Sequence, residues 1–242
     1  MPRTEGISFE LTRAGARALD ATAQRDYAIP GIVLMENAAI GMARVAEAWL
    51  ALRSEPSRVL VVAGGGNNGG DGYGIARHLA NAGHAIGLLA LREPRAGSEA
   101  AVQAAIIARM ALPVTLAHAA WAADASRWDS AMRVGGEAPD LLVDAIVGTG
   151  LDRPLEGLEA AAVAAIARCR RRGASVLSVD LPSGIDNDNG EPLGPAVCAD
   201  LTCVTVAPRP AMRLEPAASH FGRVSIIDIG APAALVQEFG RD

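Results

Sequence analysis

Two asparagines and an aspartate stand inside a run of glycines in "VVAGGGNNGGDGYGIARHL" (61–79), a stretch that reads as a strand-to-helix turn. Gly64, Gly66 and Gly69 satisfy G-x-G-x-x-G, the spacing of a loop whose backbone N–H groups meet a pyrophosphate at a helix amino terminus. In a chain with 26 glycines that match is weak by itself. Asp71 departs from the pattern, because a carboxylate there competes with phosphate. It suits a helix cap, worth about 1 kcal/mol, or a hydrogen-bond acceptor for a ribose or nicotinamide group. In "VDAIVGTGLDRP", Asp144 is flanked by Val143 and Ala145, where an aspartate is costly unless it is paired or binds a cation. In "SVDLPSGIDNDNG", Asp180 and Ser183 surround a stiffening proline. Asp186 and Asp188 miss the spacing of a calcium loop and read as turn-forming residues. "LMENAAIGMA" puts Glu36 and Asn37 early in an apolar helix, for capping or for function. These stretches offer carboxylates, amides and hydroxyls but no histidine, cysteine or lysine. Such a set suits a hard monovalent or divalent cation held by oxygen, beside a phosphate-bearing ligand cradled by backbone N–H groups.

The elements that must position these residues follow from hydrophobic period. Thr12 can cap a helix over "RAGARALDATAQRD", and a second helix after Pro30-Gly31 carries Met42, Val45, Ala46 and Trp49 on one face. Short apolar, largely β-branched runs follow at 58–64, 84–91, 113–117, 140–148, 174–182, 201–207 and 223–230. Helix-length segments at 70–83, 97–110, 119–133 and 155–172 separate the first five. Strands buried on both faces and separated by helices predict a single α/β domain over residues 1–242. Its architecture is a three-layer αβα sandwich with a mostly parallel central sheet, and its ligand site lies at the carboxyl ends of the strands. A short helix is expected after Pro232, and the last residues are expected to fray.

Composition narrows the function classes. The net charge is −5 and the arginines are scattered, which disfavours nucleic-acid or anionic-membrane binding. "RCRRRG" (168–173) reads as the solvated end of a helix. No lysine occurs, which excludes Schiff-base chemistry and a Walker loop. Cys169, Cys198 and Cys203 and the four histidines match no zinc pattern, so the cysteines read as buried structural thiols in a reducing compartment. No apolar run of membrane-spanning length occurs, and "MPRTEGISFELTR" lacks a secretory core, so the cytoplasm is expected.

Taken in order, "LMENAA", "GGGNNGGDGYGIARHL", "VDAIVGTGL", "VDLPSGIDNDNG" and "GRVSIIDIGAP" resemble the YjeF amino-terminal family, across about residues 10–232. The resemblance implies a Rossmann-like fold, often homodimeric, that uses potassium and epimerises hydrated NADH or NADPH in nicotinamide nucleotide repair. Carried over by motif, it implies that Asn67, Asn68, Gly69, Gly70, Asp71, Gly148, Thr149, Gly150, Leu151, Asp152, Arg153 and Pro154 line the substrate, with Asp180 beside it as the catalytic group. Asn68, Asp144 and Ser183 would hold potassium. Ala39 stands where relatives often have glycine, and Arg209 of "APRPAM" where many have lysine. The dehydratase domain fused in many bacterial relatives is not expected within these 242 residues.

Two other classes are weighed. One is a binding or scaffold module of the same family, which has no need to keep the asparagine, aspartate and serine positions together. The other is a nicotinamide dehydrogenase, for which no proton-relay histidine or tyrosine-lysine pair is evident. Glu93 could contact a ribose hydroxyl or simply occupy an exposed turn.

Overall fold

The computed structural model describes residues 9–51 and 57–240. Among these, β1 (Arg58–Ala63), β2 (Ala85–Ala90), β3 (Val114–Leu116), β4 (Leu141–Ala145), β5 (Ser175–Val179), β6 (Leu201–Thr205) and β7 (Arg223–Ile227) form one parallel sheet in the order β3-β2-β1-β4-β5-β6-β7. The period-two pattern divides each central strand between two cores. Val59, Val61 and Ala63 pack with α1 (Arg13–Asp26), α2 (Gly31–Leu50) and α3 (Asn67–Asn81), and with Ile107 of α4 (Glu99–Arg109). Leu60 and Val62 join the opposite cluster with α5 (Ala125–Ala131) and α6 (Gly157–Arg171). A short α7 (Ala233–Phe239) follows Pro232 as expected.

Four local readings need correction. The three residues of β3 are exposed, not buried on both faces, because β3 is the sheet's edge and pairs only with β2. The expected helix over 119–133 is broken at Asp124, whose carboxylate accepts from the N–H groups of Ser126 and Arg127 and so starts α5 afresh. Cys169 and Cys203 are buried thiols, but Cys198 is exposed. Helix α3 begins at Asn67, so the asparagines occupy its first turn instead of the loop before it.

The basic run at 168–173 does end a helix, and three of its four arginines are paired. Arg168 and Arg172 pair with Asp129, and Arg170 pairs with Asp200. No helix among the described residues is long and apolar enough to cross a membrane. Most of the amino-terminal stretch read for a secretory core, and the terminal residues expected to fray, lie outside the described residues.

The sheet order determines where a ligand can sit. The chain leaves β1 through α3 to β2 on one side, and after β3 it returns to β1's other side as β4. That reversal opens a crevice at the carboxyl ends of β1 and β4. Close backbone approach shapes its floor. A Cβ on Gly64 would lie 2.1 Å from the Ile146 carbonyl oxygen, and one on Gly69 would lie 2.0 Å from the Gly64 carbonyl oxygen. The first and third glycines of G-x-G-x-x-G are therefore packing requirements. Ala39 is accommodated in a similar way, its methyl meeting the bare Cα of Gly74 between α2 and α3.

Candidate functional site

A cavity of about 430 Å³ occupies this crevice. Asn67, Asn68 and Asp71 reach it from the start of α3, Gly148, Thr149 and Gly150 from the turn after β4, Asp180 from the end of β5, and Arg209 from the segment after β6. A second cavity of about 400 Å³ shares Gly66, Ile146, Val147 and Gly150 with the first and adds Leu151, Asp152, Arg153 and the exposed Glu93. Other residues singled out in the sequence lie behind these walls. Gly69 and Gly70 are buried against Gly64 and Met35, Asp144 and Ser183 lie beneath the cavity floor, and Pro154 lines neither cavity.

Helix α3 presents its amino terminus to the crevice without a side-chain cap, Gly66 being its N-cap residue. Its first N–H groups and the positive end of its dipole are thus left for an anion. The cap reading of Asp71 does not hold, since that residue sits in the second turn. Gly148 separates two functional side chains. A Cβ there would lie 2.6 Å from Asp180 Oδ2 and 2.8 Å from Asn68 Oδ1, so only glycine lets both approach.

Asp180 follows β5 directly, at φ 65°, a left-handed conformation uncommon for a residue with a side chain. It accepts from the Thr149 N–H (2.8 Å), the Thr149 hydroxyl (2.5 Å) and Arg209 Nη2 (2.8 Å). Burial acts to raise its pKa, but the Arg209 charge and the Thr149 bonds outweigh burial and hold the carboxyl below its ordinary value. Arg209 is 2% exposed, and its Nε and Nη1 have no partner among the described residues.

Asp144 is fully buried in β4. It accepts from Ser178 Oγ (2.8 Å), Ser183 N (2.9 Å) and Ser183 Oγ (2.6 Å), which answers the cost of placing it between apolar neighbours. Burial nevertheless raises its pKa against these bonds. Ser183 Oγ also lies 3.0 Å from both N and O of Val147, adjacent to Gly148. Asn68, Asp144 and Ser183 therefore gather around the Val147–Gly148 segment. The Nδ2 of Asn68 is buried there without a partner among the described residues.

Two further carboxylates face the main cavity. Asp71 is pushed well above its ordinary pKa by burial, with the charges of Asp180 and Asp20 adding to the effect. Asp20 of α1 lines the cavity and is exposed to solvent there. Desolvation by the cavity walls still raises its pKa to about 6 against the pull of Arg209. Sequence reading missed Asp20 and Arg17 altogether and noted Arg209 only as a departure. On an amphipathic helix nothing distinguishes a polar residue facing water from one facing a cavity.

The other candidates have structural partners. Glu36 binds Arg77, His78 Nε2 (3.0 Å) and Gln103 Nε2 (3.0 Å), tying α2 to α3 and α4. Asn37 Nδ2 donates to the Ile229 carbonyl at 2.9 Å. Asp186 accepts from the N–H groups of Asp188 and Asn189, an Asx turn as read, and pairs with Arg13 at 2.5 Å. Arg13 Nε in turn donates to the Thr149 carbonyl at 3.0 Å, holding α1 against the cavity wall.

The chain is similar to known proteins. The chain is 38% identical over 230 residues to the NAD(P)H-hydrate epimerase of Pirellula staleyi, a match covering 93% of this chain and 94% of that protein. It is 36% identical to the NAD(P)H-hydrate epimerase of Limosilactobacillus fermentum, covering 90% and 95%. The bifunctional NAD(P)H-hydrate repair enzyme Nnr of Moorella thermoacetica is also 36% identical, and there the chain covers 43% of the relative's length. The crystal structure of yeast ynu0 superposes with a TM-score of 0.78 at 22% identity, covering 96% of this chain and 94% of that one, and so shares the fold. The family model described as YjeF-related protein N-terminus matches residues 31–211, and the chain belongs to that family.

Proposed function

We infer that this chain is an NAD(P)H-hydrate epimerase, interconverting the R and S forms of hydrated NADH or NADPH. The observation that carries the reading is the convergence of Asn67, Asn68 and Asp71, Gly148 to Gly150 and Asp180 on one cavity at the sheet's switch point. The match to epimerases along nine-tenths of their length supports it. The uncapped start of α3 suits the anionic pyrophosphate, and the adjoining cavity beside Leu151, Asp152 and Arg153 extends the crevice for the rest of a dinucleotide.

The hydrated carbon adjoins the ring nitrogen, so it is a hemiaminal. It can lose hydroxide to leave an iminium ion, and water returning to either face then scrambles the stereocentre with no redox change. The protein must supply proton transfer at that oxygen and negative potential for the developing cation. Asp180 is the catalytic carboxylate in this reading. Held ionised by Arg209 and Thr149, it is ready to stabilise the cation or accept a proton.

Potassium is proposed at Asn68, Asp144 and Ser183. The donor set fits a hard cation because every candidate ligand is oxygen, Asp144 has no solvent exposure, and Asn68 carries a buried, unpartnered amide nitrogen that a flip would exchange for its oxygen. When bound, the cation supplies positive charge among the carboxylates around the crevice. The family resemblance adds a homodimer as a further proposal, which light scattering reads, and the sequence reading adds a cytoplasmic location.

The activity is tested by incubating purified R hydrate with the protein, with and without potassium, and following the S form by chromatography. Accelerated exchange supports the reading. Absence of exchange would instead favour a binding module.

A further inference from the structure

We propose that Asp20 of α1 is a second catalytic residue, the proton donor to the departing hydroxyl of the hydrated nicotinamide ring. The proposal rests on the epimerase reading of the same cavity. Asp20 lines the main cavity and the smaller one adjoining it beside α2 and Glu99 of α4. Its carboxyl makes no hydrogen bond or ion pair among the described residues, so nothing in the fold occupies it. The charged groups around it are Arg17 on its own helix, Asp71 from α3, Glu99 from α4, Asp180 after β5 and Arg209 after β6.

These surroundings separate the roles of the three cavity carboxylates. Asp180, gripped by Arg209 and Thr149, stays ionised and is a poor donor. Asp71, pushed well above its ordinary range by burial and the nearby charges of Asp180 and Asp20, releases a proton reluctantly. Asp20 lines both cavities with its carboxyl free, and desolvation there raises it to about 6 against the pull of Arg209, where a carboxyl can both give and regain a proton near neutrality. Two carboxyl groups in one site whose environments push their proton affinities apart are an acid and a base.

The step balances without a co-reactant. Asp20 in its acid form passes its proton to the hydroxyl oxygen, the carbon–oxygen bond breaks with its electron pair going to oxygen, and water leaves. The nitrogen lone pair closes a carbon–nitrogen double bond, giving an iminium ion beside the Asp180 carboxylate. Water then adds to either face and returns its surplus proton to the Asp20 carboxylate.

The test compares wild type, Asp20→Asn and Asp20→Glu for exchange of the two epimers between pH 5 and pH 8, with urea unfolding as the check of fold. Asp20→Asn is expected to lower kcat about 100-fold with KM within about twofold. The fall of wild-type kcat/KM as pH rises through about 6 should vanish in Asp20→Asn and persist, shifted, in the partly active Asp20→Glu. A folded Asp20→Asn with wild-type kcat, or one that keeps the limb near pH 6, would overturn the assignment while leaving the epimerase reading intact. If Asp20→Asn does not fold, the limb in Asp20→Glu decides, and an unmoved limb overturns the proposal. No exchange by the wild type overturns the epimerase reading and this one with it.

Discussion

Arg209 Nη2 lies 2.8 Å from Asp180 Oδ1, joining an arginine side chain that is 2% exposed to an aspartate side chain that is 13% exposed. Removing one partner of such a buried pair leaves the other charge uncompensated, at a cost of about 3–5 kcal/mol. Arg209→Met should therefore lose about 3 kcal/mol in urea unfolding at pH 8, with a smaller loss at pH 4, where Asp180 can take up a proton. Arg209→Lys, which keeps a positive charge, should lose less. Equal losses for Met and Lys would show that the ion pair is not what stabilises this wall.

Asp180→Asn keeps the shape of the side chain and removes its charge. The epimerisation rate is expected to fall by about 10²–10⁴-fold with little change in substrate affinity, the range for loss of a positioned acid/base group. A near-normal rate would reject Asp180 as the catalytic carboxylate.

Gly148→Ala tests the geometry of the site without touching a polar group. The new methyl would lie 2.6 Å from Asp180 Oδ2 and 2.8 Å from Asn68 Oδ1, so one of these must move. Overpacking of this kind costs about 1–3 kcal/mol. Activity should collapse while circular dichroism still reports a folded α/β protein.

Potassium is read by stability as well as by turnover. A ligand that binds only the folded state raises the melting temperature with its concentration. Tm should therefore rise in potassium chloride relative to choline chloride at equal ionic strength, and the difference should disappear in Asn68→Ala and Ser183→Ala. A potassium effect that survives both substitutions would place the cation elsewhere.

Asp180 and Asp20 give opposite pH signatures. Asp180 has a folded pKa below its unfolded value, so its contribution is present above the ordinary carboxylate range and is lost as pH falls through the folded value. Asp20 is raised from 3.8 to about 6, so its contribution is present below the unfolded value and is lost as pH rises through about 6. Asp20→Asn should then be more stable than wild type at pH 8 by about 1 kcal/mol, a figure discounted because the side chain opens to cavity water, and no more stable at pH 4. Urea denaturation at the two pH values measures both.

Local physics made much of this protein legible in the sequence. Alternating short apolar runs and helical segments specify strands buried between helices, because a parallel strand needs apolar residues on both faces and a crossover to its neighbour. The cost of Asp144 between Val143 and Ala145 marked it before any partner was known, and Ser178 and Ser183 are the partners it required. Tertiary structure alone decided what meets in the cavity. Asp20 reads as one more polar residue on an amphipathic helix. Contacts remote in sequence, among them Leu11 N–H to the Pro208 carbonyl and Arg13 to Asp186, dock α1 so that this face meets the crevice beside Asp180 and Arg209. Helical period says which residues share a face, but where a face points depends on packing between segments far apart in the chain.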